Sequence, residues 1–564
     1  MRVTLSNFCG IIPRYSRHNL GALNAEIAHD VKLRNGRLEA WREKCVFENS
    51  QTNSALKTAG TFHIYGCCPV YWPSPSVVSV AEFAPDWGRF YVTGRSADAE
   101  VAVVNRKCQA VYQLLGVPAP TTPPVATAAE ECDRRTDARA YYYTYVNQWG
   151  EESAPSPASN IVVVRDGVSV QVSGIALPPE GYGIIAANLY RAATGFRQDD
   201  VKTQKPLTDF LYVTTIEFPT TSFTDTVKMI GLGPVCETQK VRMPPKGLQN
   251  IVAIGGVNRL AGTVRNRVHL SENHQPYNWP VKYDLTLDHT IVHMGALDQR
   301  LYVTTDAVPY VIDVSSCEDA KCTPVIDVDT PLPDISCGHS SSAVMTPHGY
   351  VYVSPLGVTL IDSSAKWHIL TKKWFSEDDW ALIRPETVRM AYWEGFLFIV
   401  SDTVTFLLDI NGDPYGDMKG AELTTLSDTP IDLKTSSNGT LFMLEDQTLY
   451  VWNSGDELRP YQWLSRELTG EHHQPGMAAA TPQSGAALGN LWTPTSAKVR
   501  TKETEFTLVS SVGTEVYRRM VVGERPFRLP RAGRHPWWRV QFKGIEPVEF
   551  ADLGTSFFTV NAGE

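Results

Sequence analysis

Between Leu260 and Asn453 the chain repeats one hydrophobic phrase, a pair of short strands closed by an acidic or amide residue. The copies are Leu301-Tyr302-Val303 running to Asp313, Val351-Tyr352-Val353 to Asp362, Phe398-Ile399-Val400 to Asp409, and Phe442-Met443-Leu444 to Asn453. Their closing residues stand 49, 47 and 44 residues apart. Alternating β patterning at a period of about 40 to 50 residues describes small sheets that must stack on their neighbours to bury both faces, as the blades of a β-propeller do. A degenerate copy begins at Leu260, 41 residues before Leu301. Gly349, Gly395 and Gly439 precede the strand in three copies, where tight turns need positive φ. A β-sandwich with coincidental spacing is the competing reading of the same pattern.

A chain of 564 residues holds several domains, and 43% hydrophobic residues suffice for packed cores. No run of 18 apolar residues occurs, which argues against a helical membrane span, and Arg2 is followed by polar, broken sequence rather than the apolar core of a signal peptide. The ten cysteines all lie at or before Cys337 and are too irregular for a disulfide framework, so reduced thiols and a cytosolic assembly site are expected. Cys67-Cys68 reads as apolar strand filler beside Tyr71 and Trp72. Cys317, Cys322, Cys337 and His339 match no common zinc spacing, and neither metal nor cofactor is expected. A formal net charge of −10 argues against sequence-specific DNA binding, which needs clustered cations, although it suits a channel through which DNA slides without sticking.

The expected fold is mainly β: a propeller with an inserted fibronectin III- or immunoglobulin-like sandwich and a small N-terminal α+β region. Leu20, Leu23, Ile27 and Val31 at helical spacing predict one short helix, followed by a hairpin at Arg34-Asn35-Gly36-Arg37. With strands from Thr61 to Gly94, this platform occupies residues 1–125 and ends in the proline-rich linker around Pro118 to Pro124. Short strands from the aromatic run Tyr141-Tyr142-Tyr143-Thr144-Tyr145-Val146 onward place the sandwich at 136–235. Aromatics at strand spacing are usually core and cross-strand pairs, and the tyrosine run is read so rather than as a stacking platform for bases or sugars. The propeller follows at 240–500, with a mobile loop at 470–489 that folding should not require, and closing strands fill 501–564.

No phosphate loop, His-Glu-x-x-His helix or nucleophile elbow is present. His472-His473 beside Glu471 falls in the loop, which would hold a ligand poorly. Glu151-Glu152 and Asp378-Asp379 resemble glycosidase carboxylate pairs, but neighbours on a strand face opposite ways, and solvated loop charge is the better account. One stretch stands out as a candidate interface. Arg518, Arg519, Arg525, Arg528, Arg531, Arg534, Arg539 and Lys543 accompany a single acid, Glu524, with Trp537 and Trp538 interleaved. The pattern resembles a nucleic-acid patch, but in a net-acidic chain a seat against an acidic protein surface is favoured.

Several phrases together resemble the tail nozzle of short-tailed bacteriophages, the family also called tail tubular protein B or tail hub. They are Phe8-Cys9-Gly10-Ile11-Ile12-Pro13-Arg14; the alanines Ala22, Ala25 and Ala28 leading to Val31 through Leu38; Asp86 to Gly94 with the Leu115 to Pro120 linker; and Tyr143 to Pro155. Val268-His269-Leu270-Ser271-Glu272 with Tyr277-Asn278-Trp279-Pro280, and Phe527 to Gly544, complete the set over nearly the whole chain. The resemblance implies a structural virion protein without turnover: a homohexameric ring in the virion tail, assembled in the host bacterial cytoplasm. Its partners would be a portal-side adaptor, tail fibres or spikes, and double-stranded DNA in transit. Six copies would carry about −60, enough to disfavour DNA adhesion. A receptor- or glycan-binding module, or a polysaccharide-degrading enzyme, remains the alternative.

Overall fold

The computed structural model describes residues 2–21, 23–73, 78–84, 87–128, 137–165, 167–194, 209–256, 258–316, 320–325, 337, 342–411, 420–469 and 491–561. Strands hold 49% of the described residues and helices 6%, so the fold is mainly β. Two compact units form, one of Met1–Val77, Tyr302–Val311 and Thr323–Glu564, the other of Val78–Leu301 and Ile312–Cys322. Residues 1–77 thus group with the C-terminal half, and residues 78–125 with the region read as a sandwich. No helix among the described residues is long and apolar enough to cross a membrane.

Each copy of the repeated phrase lies in a four-stranded antiparallel meander, with its hydrophobic triplet on the second strand. Val351-Tyr352-Val353 sits in Gly349–Ser354, between Ala343–Thr346 and Gly357–Ile361, with Trp367–Ile369 outermost. Phe398-Ile399-Val400 sits in Phe396–Val400, second of a meander continued by Thr405–Asp409 and Leu423–Leu426. Leu301 and Leu260 hold the same place in Arg300–Thr305 and Arg259–Val264. The closing acids act as local caps: the Asp313, Asp362 and Asp409 carboxylates accept the backbone N–H two residues on, at 3.0, 2.7 and 3.0 Å. Such turns free the chain from the ladder and start the next connection. Gly349, Gly395 and Gly439 take φ of +140°, +87° and +83°, as their turns require.

The last meander, Asp432–Thr435, Leu441–Glu445 and Thr448–Val451, takes its fourth strand, Cys45–Asn49, from the other end of the chain. Its closing Asn453 accordingly accepts a long-range N–H, that of Arg42, at 2.8 Å. A buried charge cluster holds this junction. Arg459, 4% exposed, lies on the Trp452 ring and pairs with Asp428, with Asp30 at 3.4 Å and with Glu43 at 3.3 Å. Lys44 bridges Asp428, at 2.8 Å, and Glu445.

Where a helix is expected at Leu20 to Val31, the chain forms the strand Ala25–His29 and then Val31–Lys32. A register shift between Ala25 and Ile27, and Asp30 at φ +51°, interrupt the two-residue alternation. Ala25, Ala28 and Val31 are consequently buried, whereas Leu23 and Ile27, whose spacing with Leu20 and Val31 suggests a helix, are only half-buried. Among the described residues up to 125 there is no α-helix, so the α+β expectation is corrected to β. The hairpin is found: Val31 pairs with Ala40 across a turn with Asn35 and Gly36 at positive φ.

Ser496–Ser510 is the spine of the C-terminal sheet. Val548–Gly554 and Trp537–Gly544 pair along it end to end, and Glu515–Gly523 and Phe527–Arg528 also pair with it. Pro547 and Pro526 fall in the breaks, where no ladder donor is needed. The N-terminus enters the same sheet, Arg2–Leu5 beside Val548–Gly554 and Ala25–His29 beside Tyr461–Ser465.

In the other unit, Ser79–Ala81, Arg89–Thr93, Glu100–Val104 and Ala110–Leu114 form a meander that shares its core with Gln249–Ile254 and Arg259–Val264. Val125–Ala128, Val170–Ser173 and Phe223–Asp225 form a three-stranded sheet. Val162–Val164, Asp137–Asn147, Ile184–Thr194 and Leu211–Glu217 form a four-stranded one, and the two sheets bury one apolar cluster. Tyr141, Tyr143 and Tyr145 lie inside that cluster, while Tyr142 pairs across the ladder with Tyr190 and stacks on Phe210 at 3.9 Å.

Candidate functional site

The basic stretch does not act as one patch. Arg539, 9% exposed, bonds Glu26 at 2.6 Å, a partner 513 residues away that no local pattern could reveal, and it is removed from the interface set. Arg518 pairs with Glu515 and, at 4.0 Å, with Glu505, and Arg519 lies over the Phe527 ring at 5.3 Å. Arg525, Arg528, Arg531, Arg534 and Lys543 are exposed and form no ion pair with described residues. The candidate surface therefore narrows to these five cations.

Other sequence candidates have ordinary structural duties. Asp379 closes a capping box with Ser376 at the start of the helix Glu377–Leu382, and Asp378 is exposed. Cys68 and Cys108 each take part in a disulfide, which corrects the expectation of reduced thiols throughout. Glu471, His472, His473 and the 470–489 loop lie outside the described residues, as do Cys317 and His339. Among the described residues no group of three or more His, Cys, Asp or Glu is placed to hold a metal ion.

Glu151 is no solvated loop charge. It is 7% exposed and accepts from Arg89 Nη2 at 2.7 Å, and Arg89 is itself only 5% exposed. Three turns assemble around this pair. The first ends at Gly88, φ +64°, and delivers Trp87 and Arg89 to the start of the strand Arg89–Thr93. In the second, the Asn147 side-chain carbonyl accepts from the N–H of Trp149 and of Glu151, both at 3.0 Å, while its amide donates to Glu151 Oε2 at 2.7 Å. The third carries His274 and Tyr277, its Asn278 side chain bonded to Gln275 and to the Arg242 N–H.

The result is a cleft of about 370 Å³ lined by Trp87, Arg89, Trp149, Glu151, His274 and Tyr277. The Arg89 guanidinium lies between two indoles, 4.7 Å from the Trp87 ring and 4.6 Å from that of Trp149. Its Nε and Nη1 are buried and make no hydrogen bond of good geometry, although the Tyr91 hydroxyl interacts with the guanidinium. Burial, then the Glu151 and Glu152 carboxylates, push the Tyr277 hydroxyl up to about 12, so it stays protonated at neutral pH. Glu152 is engaged elsewhere, accepting from Thr144 and from the Tyr190 hydroxyl at 2.7 Å, so the two glutamates form no matched catalytic pair. The cleft draws on three phrases of the sequence resemblance: Asp86 to Gly94, Tyr143 to Pro155, and Val268 to Pro280. What sequence reasoning missed is that they meet, because 62 residues separate Arg89 from its partner.

No protein-family model matches the chain, and no curated protein matches it. Among solved structures, Hsv2 of Kluyvelomyces marxianus aligns at 12% identity and a TM-score of 0.25, covering 64% of this chain and 95% of that one. PorZ, a bacterial surface component of the type-IX secretion system of Porphyromonas gingivalis, aligns at 12% identity and a TM-score of 0.26, covering 90% of this chain and 77% of that one. Superpositions this weak carry no argument about function.

Proposed function

We propose that this chain is a structural subunit of a bacteriophage tail nozzle, a ring, homohexameric in the family it resembles, that extends the DNA-ejection channel and performs no catalysis. On this reading the consecutive four-stranded meanders are propeller blades, and the paired sheets of residues 125–225 are a fibronectin III- or immunoglobulin-like sandwich. The observation that carries the proposal is the meeting of the chain's two ends. Phe8 to Arg14, Val31 to Leu38 and Phe527 to Gly544, phrases from opposite ends of the resemblance, contribute to one core: Phe8 packs on Trp463 and Phe542, and Leu38 bridges to Val548. A platform stitched from both termini suits a subunit that transmits load rather than turns over substrate. Negative-stain microscopy of the purified protein with its adaptor tests the reading. Sixfold rings that dock are expected, and a protein that stays monomeric and undocked at all concentrations overturns it.

The exposed cations sharpen the test. The 26 residues from Arg518 to Lys543 carry eight cations and one acid, leaving the rest of the chain at −17 against −10 for the whole. Head-to-tail contact between copies would set this surface against acidic neighbours. Reversing Arg528, Arg531 and Arg534 to Glu should therefore impair ring assembly or docking while DNA binding stays weak and unchanged. Filter binding across a salt series, run beside sizing of the oligomers, checks this. Tight, salt-dependent DNA binding by the wild type, lost in a variant that still forms rings, would show a DNA-binding surface instead.

A further inference from the structure

We propose that the cleft between Trp87, Trp149 and Tyr277 binds one ring of a neutral saccharide. Its volume falls in the range of small-ligand sites, roughly 300–1,000 Å³, and its walls combine aromatic faces with a few fixed polar groups. Stacking of a guanidinium between two indoles accounts for the burial of Arg89. It accounts neither for two guanidinium nitrogens left without a hydrogen bond of good geometry nor for an indole, Trp87, standing 40% exposed. Buried donors so poorly satisfied call for an explanation, and an oxygen-rich ligand supplies one. With Trp87 over the guanidinium these nitrogens are shielded, so a ligand hydroxyl must reach them past the edge of that ring while its exposed face stays in place. The sugar's apolar CH face would lie on the indole, and the exposed His274 would meet a hydroxyl at the rim.

Charge selects the ligand class. The lining carries one cation already paired with one carboxylate, Arg89 with Glu151, and Glu152 follows directly. A phosphate or uronate would face these carboxylates with no unpaired cation to meet it, an amino sugar would meet Arg89, and a purely apolar ligand would leave the donors poorly satisfied. A neutral, polyhydroxylated ring avoids all three conflicts.

Saturation-transfer NMR on the full chain, with glucose, galactose, mannose and N-acetylglucosamine beside glucuronate and glucosamine, tests this. Transfer to ring CH protons of at least one neutral sugar is expected, with a Kd on the order of 1 mM, as suits a single-ring contact. Trp87→Ala should weaken it about tenfold or more, His274→Ala should weaken it measurably, and Phe558→Ala, an exposed aromatic of the other unit, should leave it unchanged. If Trp87→Ala fails to fold, His274→Ala decides. Absence of transfer for every neutral sugar, transfer indifferent to the substitutions, or preference for a charged sugar overturns the proposal. None of these outcomes depends on whether the chain forms rings.

Discussion

Replacing Arg459 by leucine is expected to destabilise the junction between the N-terminal segment and the last meander by about 3–5 kcal/mol. The arginine serves three carboxylates, and without it Asp428 and Asp30, almost fully buried, keep charges answered by Lys44, His29 and backbone groups. Arg500→Leu is the control: that side chain is half exposed, and loss of its pairs with Glu524 and Glu549 should cost no more than about 1 kcal/mol. Hydrogen exchange in Cys45–Asn49 and Thr448–Val451 of the intact chain reads the difference locally. The effect also has a pH signature. Burial raises the Asp428 carboxyl, but hydrogen bonds and charge from Arg459 and Lys44 outweigh it and hold the group below its ordinary 3.8. A carboxyl depressed in the folded state contributes its full stability above that ordinary value and loses it as pH falls through the lower folded one. The stability that wild type draws from this depressed carboxyl should therefore be lost only below about pH 3.8.

Asp225→Ala should be comparably damaging in the other unit, again by about 3–5 kcal/mol. Asp225 and Arg191 are both wholly buried and bonded at 2.7 Å, and the same carboxylate accepts the Tyr141 hydroxyl at 2.8 Å and the Val227 N–H at 2.8 Å. Removing the acid strands a guanidinium whose Nε and Nη2 already lack acceptors. Tyr141→Phe removes one bond and leaves the ion pair, so about 1 kcal/mol is expected. Exchange rates in Asp137–Asn147 and Ile184–Thr194 separate the two variants, and equal effects would mean that the ion pair adds nothing beyond the tyrosine bond.

What could be read from sequence was local. The repeated triplets, their closing acids and the turn glycines carry their information within a dozen residues, through alternation, side-chain turns and positive φ, and each lies where that chemistry puts it. The segment Leu20 to Val31 misleads for an equally local reason, since a bulge breaks the two-residue alternation and the burial falls on Ala25 and Ala28 rather than on Leu23 and Ile27. Arg89 with Glu151, Arg539 with Glu26 and Arg459 with Asp30 were out of reach, because nothing beside either residue encodes a partner tens or hundreds of positions away. The same limit hid the cleft: each of its three turns was legible, and their convergence was not.

The strand Cys45–Asn49 has a consequence for how the chain is made. Asn49 pairs with Thr448, so roughly 400 residues must be synthesised before its partner exists. At about 5–20 residues per second, the ribosome takes some 20–80 s to supply it. Throughout that time the strand is an open edge carrying Val46 and Phe47, both still exposed after pairing. Neighbouring nascent chains on one message present identical strands and identical vacancies. Faithful folding then rests on each chain claiming its own strand before a neighbour does, and crowded synthesis favours copies joined by exchanged N-termini.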